Sequence, residues 1–374
     1  MKKFILNKKG IDLSQSPVLE NTRHIYLAPN NFYSLRKFCK PESMDFLYSK
    51  NLINESKFHR ILLKEMLIYT KFGGKIIISF KSNNLLGYRS LMKEIRICIG
   101  DKIKLVYAKK GKNNLIILEK IKNVLEKGDS INKWSFGIIT NGKKNEWIEK
   151  QISAIKEQEI PNYEIIICGT YFERKEENIK YLPFSKKDEL GWITKKKNLI
   201  CENAKYENLC VLHERVVPDR GWFKGMKKYG NYFEVLSCVI KDKNKKRCGD
   251  WITYGSKFGS FPFVGLLDYR DFDIYGCLDG GLTILKKSVW ERVKWDENLF
   301  WNQAEDAKLS SDWYKEGIIA RFNPFASCTT LSWRHGNLVM YNYDQDKRGD
   351  FIGDKIQLKR RIKFYAKEFI KRIY

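Results

Sequence analysis

The feature that most narrows the fold is a strand, helix, strand run between Trp134 and Gly169. Residues 134–140, WSFGIIT, are an apolar run of strand length, and 141–158, NGKKNEWIEKQISAIKEQ, place Trp147, Ile148, Ile152 and Ile155 along one helical face. Ile160 and Pro161 break the helix, and residues 162–169, NYEIIICG, supply the next buried strand. Two strands joined through a helix lie parallel in one sheet, because the crossover has to return the chain to the same edge. The order repeats with a helix over 194–204, TKKKNLICENA, and a strand over 207–212, ENLCVL. An α/β sheet of this kind takes nucleotide ligands at the carboxyl ends of its strands, here in the loops after Thr140 and Gly169.

Residues to about 130 form a different pattern. An amphipathic helix from about Glu55 is expected to stop at Gly73 and Gly74, before a strand over 75–80. A second helical stretch, 85–100, precedes a hairpin over 101–122, in which two β-rich runs flank the turn 110–114, Lys-Gly-Lys-Asn-Asn. With 374 residues the chain is long enough for two domains, and 125–133, LEKGDSINK, reads as the joint.

Hydrophobic residues make up 43% and aromatics 14%, a globular composition. No segment approaches the roughly 18 uncharged apolar residues of a spanning helix. The apolar run near the N-terminus, Phe4 to Leu6, is too short for a secretory leader, so a cytoplasmic placement is expected. Nine cysteines fall singly with no CxxC pair, the pattern of reduced thiols. The formal charge of +26 suits an anionic partner (phosphorylated substrate, anionic lipid or nucleic acid) or reflects a lysine-rich composition throughout. Nucleic acid is the least favoured partner, since no nucleic-acid-binding motif is recognised and the lysines are spread. The segment 354–374 places Leu358, Ile362, Tyr365, Phe369 and Ile373 at helical spacing among basic residues. Such a basic amphipathic helix lies on an anionic membrane surface or packs its stripe on the domain.

Two resemblances follow from these motifs. MDFLYSKNLIN at 44–54, ahead of LLKEMLIYTKFGGKIIISF at 62–80, resembles the C-terminal half of a class I methyltransferase-like domain. The Gly-rich turn with which that family holds S-adenosylmethionine does not precede Met44. Residues 1–130 are therefore expected to be a partial Rossmann-like methyltransferase module, non-catalytic and without S-adenosylmethionine, serving as a scaffold or docking unit.

Residues 134–345 resemble family 2 glycosyltransferases, which implies a GT-A α/β domain with a mixed sheet flanked by helices and a nucleotide-sugar donor. FGIITNGKKNEWIEKQISAIKEQEIPNYEIIICG resembles the family's opening, so Thr140, Asn141 and Gly169 would border the nucleotide. GWITKKKNLICENAKYENLCVLHERVVPDRGWF reproduces its order of basic helix, strand, metal motif and Pro-x-x-Gly-Trp. Lys196, in the run 195–197, would meet phosphate, although a lysine run is also the mark of a solvated face.

Where the family places an Asp-x-Asp-type motif, this chain has His213, Glu214 and Arg215. Glu214, with His213 and a late histidine, His335, would hold a manganese or magnesium ion. Arg215 would neutralise phosphate directly; alternatively the metal site is degenerate and the enzyme is metal-independent or inactive. GCLDGGLTILKKSVWERVKWDENLFWNQAEDAKLSSDWYKEG resembles the C-terminal half of the same catalytic domain. By that resemblance Gly280 and Gly281 floor the site, Asp306 is the general base of an inverting transfer, and Glu305 orients a substrate. Trp251, in CGDWITYG, would meet the acceptor. The implied acceptor is a glycan or lipid-linked hydroxyl, in surface polysaccharide or glycoconjugate synthesis. Against this stand a non-catalytic sugar- or partner-binding module and a nucleic-acid-modifying transferase.

Overall fold

The computed structural model describes residues 8–14, 16–20, 22–27, 34–55, 57–170, 176–184, 191–254, 265–333 and 339–340. His335 and the tail helix expected over 354–374 lie outside them. The first part of the chain runs β1 (Gly10–Asp12), β2 (Arg23–His24), β3 (Met44–Lys50), α1 (His59–Tyr69), β4 (Thr70–Phe80), α2 (Tyr88–Ile99), β5 (Ile103–Lys109) and β6 (Asn114–Lys120). These strands make a six-stranded sheet in the order β2-β1-β3-β4-β6-β5. Neighbours are parallel from β2 to β4, whereas β6 runs antiparallel to both β4 and β5.

The hairpin expected over 101–122 is therefore β5 with β6. Helix α1 ends at Tyr69, sooner than the glycine pair suggested, and β4 begins at Thr70. The register with β3 slips there: Met44 faces Thr70 and Phe46 faces Lys75. The glycines serve this bulge, since Gly73 has φ +74° and a Cβ on Gly74 would lie 2.9 Å from the Asp45 carbonyl oxygen. After β1 the turn closes on the buried Asp12 carboxylate, which accepts the backbone N–H groups of Ser14, Val18 and Leu19.

The rest of the chain continues with β7 (Lys133–Thr140), α3 (Asn145–Lys156), β8 (Asn162–Gly169), β9 (Ile179–Pro183), α4 (Ile193–Asn203), β10 (Asn208–His213), β11 (Val216–Pro218), α5 (Trp222–Tyr229) and β12 (Val235–Lys241). Next come β13 (Ile252–Thr253), β14 (Gly265–Leu266), β15 (Gly276–Cys277), β16 (Leu282–Lys286), α6 (Lys287–Arg292), α7 (Glu305–Lys315), β17 (Ala320–Thr330) and β18 (Val339–Met340). An eight-stranded mixed sheet has the order β11-β17-β12-β16-β10-β7-β8-β9. β10, β7, β8 and β9 are parallel, and β16 enters antiparallel beside β10. Three two-residue strands and β18 form a small third sheet, β15-β13-β14-β18.

On one face of the eight-stranded sheet Trp134, Phe136 and Trp222 pack together with Ile148, Ile152 and Ile155 of α3, which turns its apolar stripe inward. The other face belongs to a core that continues without a break into the six-stranded sheet, from Ile11 through α1 to Phe322. Nearly every residue of α1 is buried, as a helix wedged between two sheets must be. Its polar side chains find partners in the second half of the chain: Lys64 binds Glu234 at 2.7 Å, Glu65 binds Arg321 at 3.0 Å, and Arg60 donates to the Tyr314 carbonyl.

Candidate active site

The expected convergence at the carboxyl ends of the parallel strands is built in two halves. The first lies where β7, β8 and β10 end. Thr140 Oγ1 donates to Glu214 Oε2 at 2.5 Å and accepts the N–H of Gly142 at 2.9 Å. Gly169 lies so close that a Cβ there would sit 1.9 Å from the Thr140 carbonyl oxygen, at φ +141°. Only glycine permits that approach. Lys196 reaches in from α4 and donates to the same carbonyl at 2.6 Å. Burial pushes its ammonium down to about 8. Burial also raises Glu214, against the hydrogen bonds from Thr140 and the Asn141 N–H and the charge of Lys196. Asn141 itself is exposed, its side-chain oxygen accepting the Lys143 N–H.

The second half is organised by the Gly280–Gly281 turn. Lys197 is fully buried and donates to the Gly280 carbonyl at 2.8 Å, with Glu305 Oε1 at 3.3 Å. The Gly280 N–H donates to Asp306 Oδ2 at 3.1 Å, and the Gly281 N–H to Asp279 Oδ1 at 2.6 Å. A Cβ on Gly280 would lie 2.8 Å from Glu305 Oε1, and one on Gly281 would lie 2.8 Å from an Arg215 nitrogen. The glycine pair is thus the floor on which carboxylates and cations meet. Arg215 stands 3.6 Å from Asp279, donates to Thr330 Oγ1 at 3.1 Å and lies over the Trp333 ring at 5.4 Å.

Glu305 and Asp306 open α7, immediately after Ala304 at φ 55° and Asn302 at φ 68°. Two non-glycine residues in the left-handed region cost about 1–2 kcal/mol each and fix how the acidic pair enters the site. Asp306 is pushed up from 3.8 to about 7, first by burial and then by the charges of Glu305 and Asp279, with Lys197 opposing. Cys277, in the small third sheet, and Tyr254, directly after β13, close this side; burial and the nearby Asp306 raise both. His213 is held well below its ordinary value by burial and by Lys197, Arg215 and Lys196, so its imidazole is neutral, and its buried Nε2 meets no hydrogen-bond partner among the described residues.

The structure thus brings together Glu305, Asp306, Gly280, Gly281 and Arg215 on one side, and Thr140, Gly169, Lys196 and Glu214 on the other. Two sequence readings differ from the structure. Lys196 and Lys197 do not belong to a solvated face; only Lys195 of that run is partly exposed, paired with Glu297 at 2.8 Å. Trp251 is buried, its indole N–H donating to the Asp271 carbonyl at 3.0 Å and its ring beside Phe322, so it offers no face to an acceptor. Of the expected cation ligands, His335 lies outside the described residues, and among the described residues no three His, Cys, Asp or Glu side chains converge as ligands. Glu214 is engaged by Thr140, and the positive charge here is carried by Lys196, Lys197 and Arg215. Lys197 was read only as part of the run 195–197; Asp279, Tyr254 and Cys277 were not singled out from sequence, and of these only Asp279, beside the glycine pair, carried a local signal.

No family model matches the chain, and no curated protein does. Solved structures similar to it include S. aureus TarS 1-349, at 12% identity and a TM-score of 0.37 over 53% of this chain and 60% of that one. The same TarS fragment in complex with UDP gives a TM-score of 0.38 at 12% identity, with the same coverage. GalNAc-T7 with UDP, GalNAc and Mn2+ is similar at 12% identity and a TM-score of 0.42, over 54% of this chain and 44% of that one. The chain thus spans less than two thirds of the length of each. What the residues above can do chemically follows from their own arrangement.

Proposed function

We propose that the chain is a glycosyltransferase of the GT-A type, moving a sugar from a nucleotide-sugar donor to an acceptor hydroxyl with inversion. The observation that carries this reading is Asp306: a buried carboxyl, pushed up to about 7, hydrogen-bonded to the Gly280 N–H and set beside two other carboxylates and two cations. A general base works best when its proton affinity lies near the operating pH. In the reaction, the acceptor oxygen attacks the anomeric carbon as its proton passes to Asp306, and the bond from that carbon to the phosphate oxygen breaks. The electron pair leaves on the nucleoside diphosphate, whose charge Arg215 and Lys197 neutralise. Thr140, Asn141, Gly169, Lys196 and Glu214 receive the nucleoside at the ends of β7 and β8. Glu305, held by Lys197, keeps Asp306 oriented and raises its affinity for the proton. The acceptor is a glycan or lipid-linked hydroxyl, entering past Tyr254 and Cys277.

Among the described residues no three His, Cys, Asp or Glu side chains gather to hold a divalent cation, and the manganese and chelator arms of the test decide whether one takes part. The test is nucleoside-diphosphate release from a panel of nucleotide sugars, with manganese or with a chelator, for the parent protein and for Asp306→Asn and Glu214→Ala. Release from one donor that falls with Asp306→Asn supports the reading. Release that survives chelation assigns charge neutralisation to Arg215 and Lys197. No release from any donor, with no nucleotide binding by calorimetry, overturns it in favour of a binding module.

A further inference from the structure

Five of the ten large apolar side chains exposed among the described residues lie on the edge strand β5, just past the end of β6 and on the adjoining end of β4: Leu105, Val106, Tyr107, Ile121 and Phe72. β5 is the outermost strand there, and every residue in it after Ile103 is exposed. Leu105 faces Leu118 and Tyr107 faces Ile117, the two partners being neighbours, so Val106 is an extra residue and the strand is bulged. Leu118 belongs to the core on one side of the sheet and Ile117 to the cluster on the other. Leu105 and Tyr107 therefore project from opposite faces, and the hairpin is an apolar blade. Phe72 stands 64% exposed on the bulge of β4. Its end of the blade is shared with Ile121, because Lys75, Glu119 and Lys104 lie in register across β4, β6 and β5.

The blade carries positive charge. Between residues 102 and 122 there are seven lysines and one acid, Glu119. Lys75 neutralises that acid at 2.5 Å, and Lys120 is buried on Glu42. Lys104, Lys109, Lys110, Lys112 and Lys122 are exposed around the apolar residues.

We infer that this hairpin docks the protein on an anionic membrane surface. A partner protein adding a strand would need an even ladder of free N–H and C=O groups, which the bulge interrupts and the lysines discourage. A headgroup layer needs no ladder. It takes the apolar tips shallowly, while the lysine stems lie along them and the ammonium groups meet lipid phosphates. This surface stands apart from the proposed active site and does not depend on the transferase reading.

The experiment is co-sedimentation of the full chain with vesicles of phosphatidylcholine alone or mixed with phosphatidylglycerol. The parent chain should pellet only with the mixed vesicles. Lys109→Glu/Lys110→Glu/Lys112→Glu should weaken that binding by about tenfold or more, and Leu105→Ser/Tyr107→Ser should weaken it at unchanged net charge. Lys243→Glu/Lys245→Glu/Lys246→Glu, an equal charge change on an exposed loop elsewhere, should leave it intact. The segment 354–374 is present in every variant, so its own contribution is constant. Equal loss in the loop variant, no loss in the serine variant, or a parent chain that ignores the mixed vesicles would overturn the inference. Self-association abolished by the serine substitutions would assign the edge to a second copy of this chain instead.

Discussion

The two large sheets handle buried charge in opposite ways. Around the six-stranded sheet most charges drawn inward have a dedicated partner: Glu65 with Arg321, Lys64 with Glu234, Arg60 with Glu94, Lys120 with Glu42. At the carboxyl ends of the eight-stranded sheet, Asp279, Glu305 and Asp306 are pressed together with too few cations to satisfy them, and Asp306 is left near neutrality. Matched pairs hold a structure in register. Crowded, mismatched carboxylates are kept where a proton has to move. On the proposed reading the same residue types serve cohesion in one region and chemistry in the other, and substitution separates the two.

The largest effect is expected at Asp306. Asp306→Asn should lower transfer by about 100- to 10,000-fold, and the parent activity should rise with pH through about 7 as Asp306 loses its proton. The sign for stability is the reverse. Because the folded carboxyl binds its proton more tightly than the unfolded one, its contribution is complete below about 4 and is lost as pH rises through about 7. The amide that replaces the carboxyl cannot ionise, so the Asp306→Asn variant should melt at or slightly above the parent temperature at pH about 8, as thermal unfolding would show. A variant both inactive and unstable would place Asp306 with the cohesive charges.

Glu65→Ala is the opposite case. It takes the carboxylate from the buried Arg321 guanidinium and removes the acceptor of the Leu35 N–H. A loss of about 3–5 kcal/mol in urea unfolding is expected, with activity per folded molecule unchanged. Glu65→Leu with Arg321→Met should recover most of that stability. Arg215→Ala should cost about 10- to 100-fold in turnover, with partial rescue by Arg215→Lys and little change in melting, since that guanidinium is partly exposed.

The contrast also marks how far the sequence could be read. β7, α3, β8, α4 and β10 were legible because isoleucine-rich runs and one apolar stripe repeat at fixed periods. The glycine pair and the acidic pair stood out because each is a local feature. Lys197 did not, since whether a lysine stem runs through a core or over a surface is decided by the carbonyl and carboxylate that meet its end, here Gly280 and Glu305. Trp251 was misplaced for the same reason: its ring orientation depends on Asp271 and Phe322, far along the chain. Cys277 belongs to a sheet of two-residue strands drawn from positions near 252, 265, 276 and 339, and Tyr254 directly follows one of them; no periodicity announces such a sheet.

Lys57 sits on the boundary between the two behaviours. It comes from the six-stranded half, just ahead of α1, and its ammonium pairs with the buried Asp271 in the segment leading to β15. The Asp271 carbonyl holds the Trp251 indole, and two residues later the buried Asp273 accepts the Thr253 hydroxyl. Thr253 and Cys277 thereby stay in the small sheet that presents Tyr254 to Asp306. Lys57→Met keeps the stem and removes the charge. If this clamp positions the acceptor side, acceptor KM should rise about threefold to tenfold, while donor hydrolysis and its metal response stay at the parent level. A matching fall in donor hydrolysis would show that the clamp only supports the fold, and that the division between cohesive and chemical charge runs through Lys57 rather than beyond it.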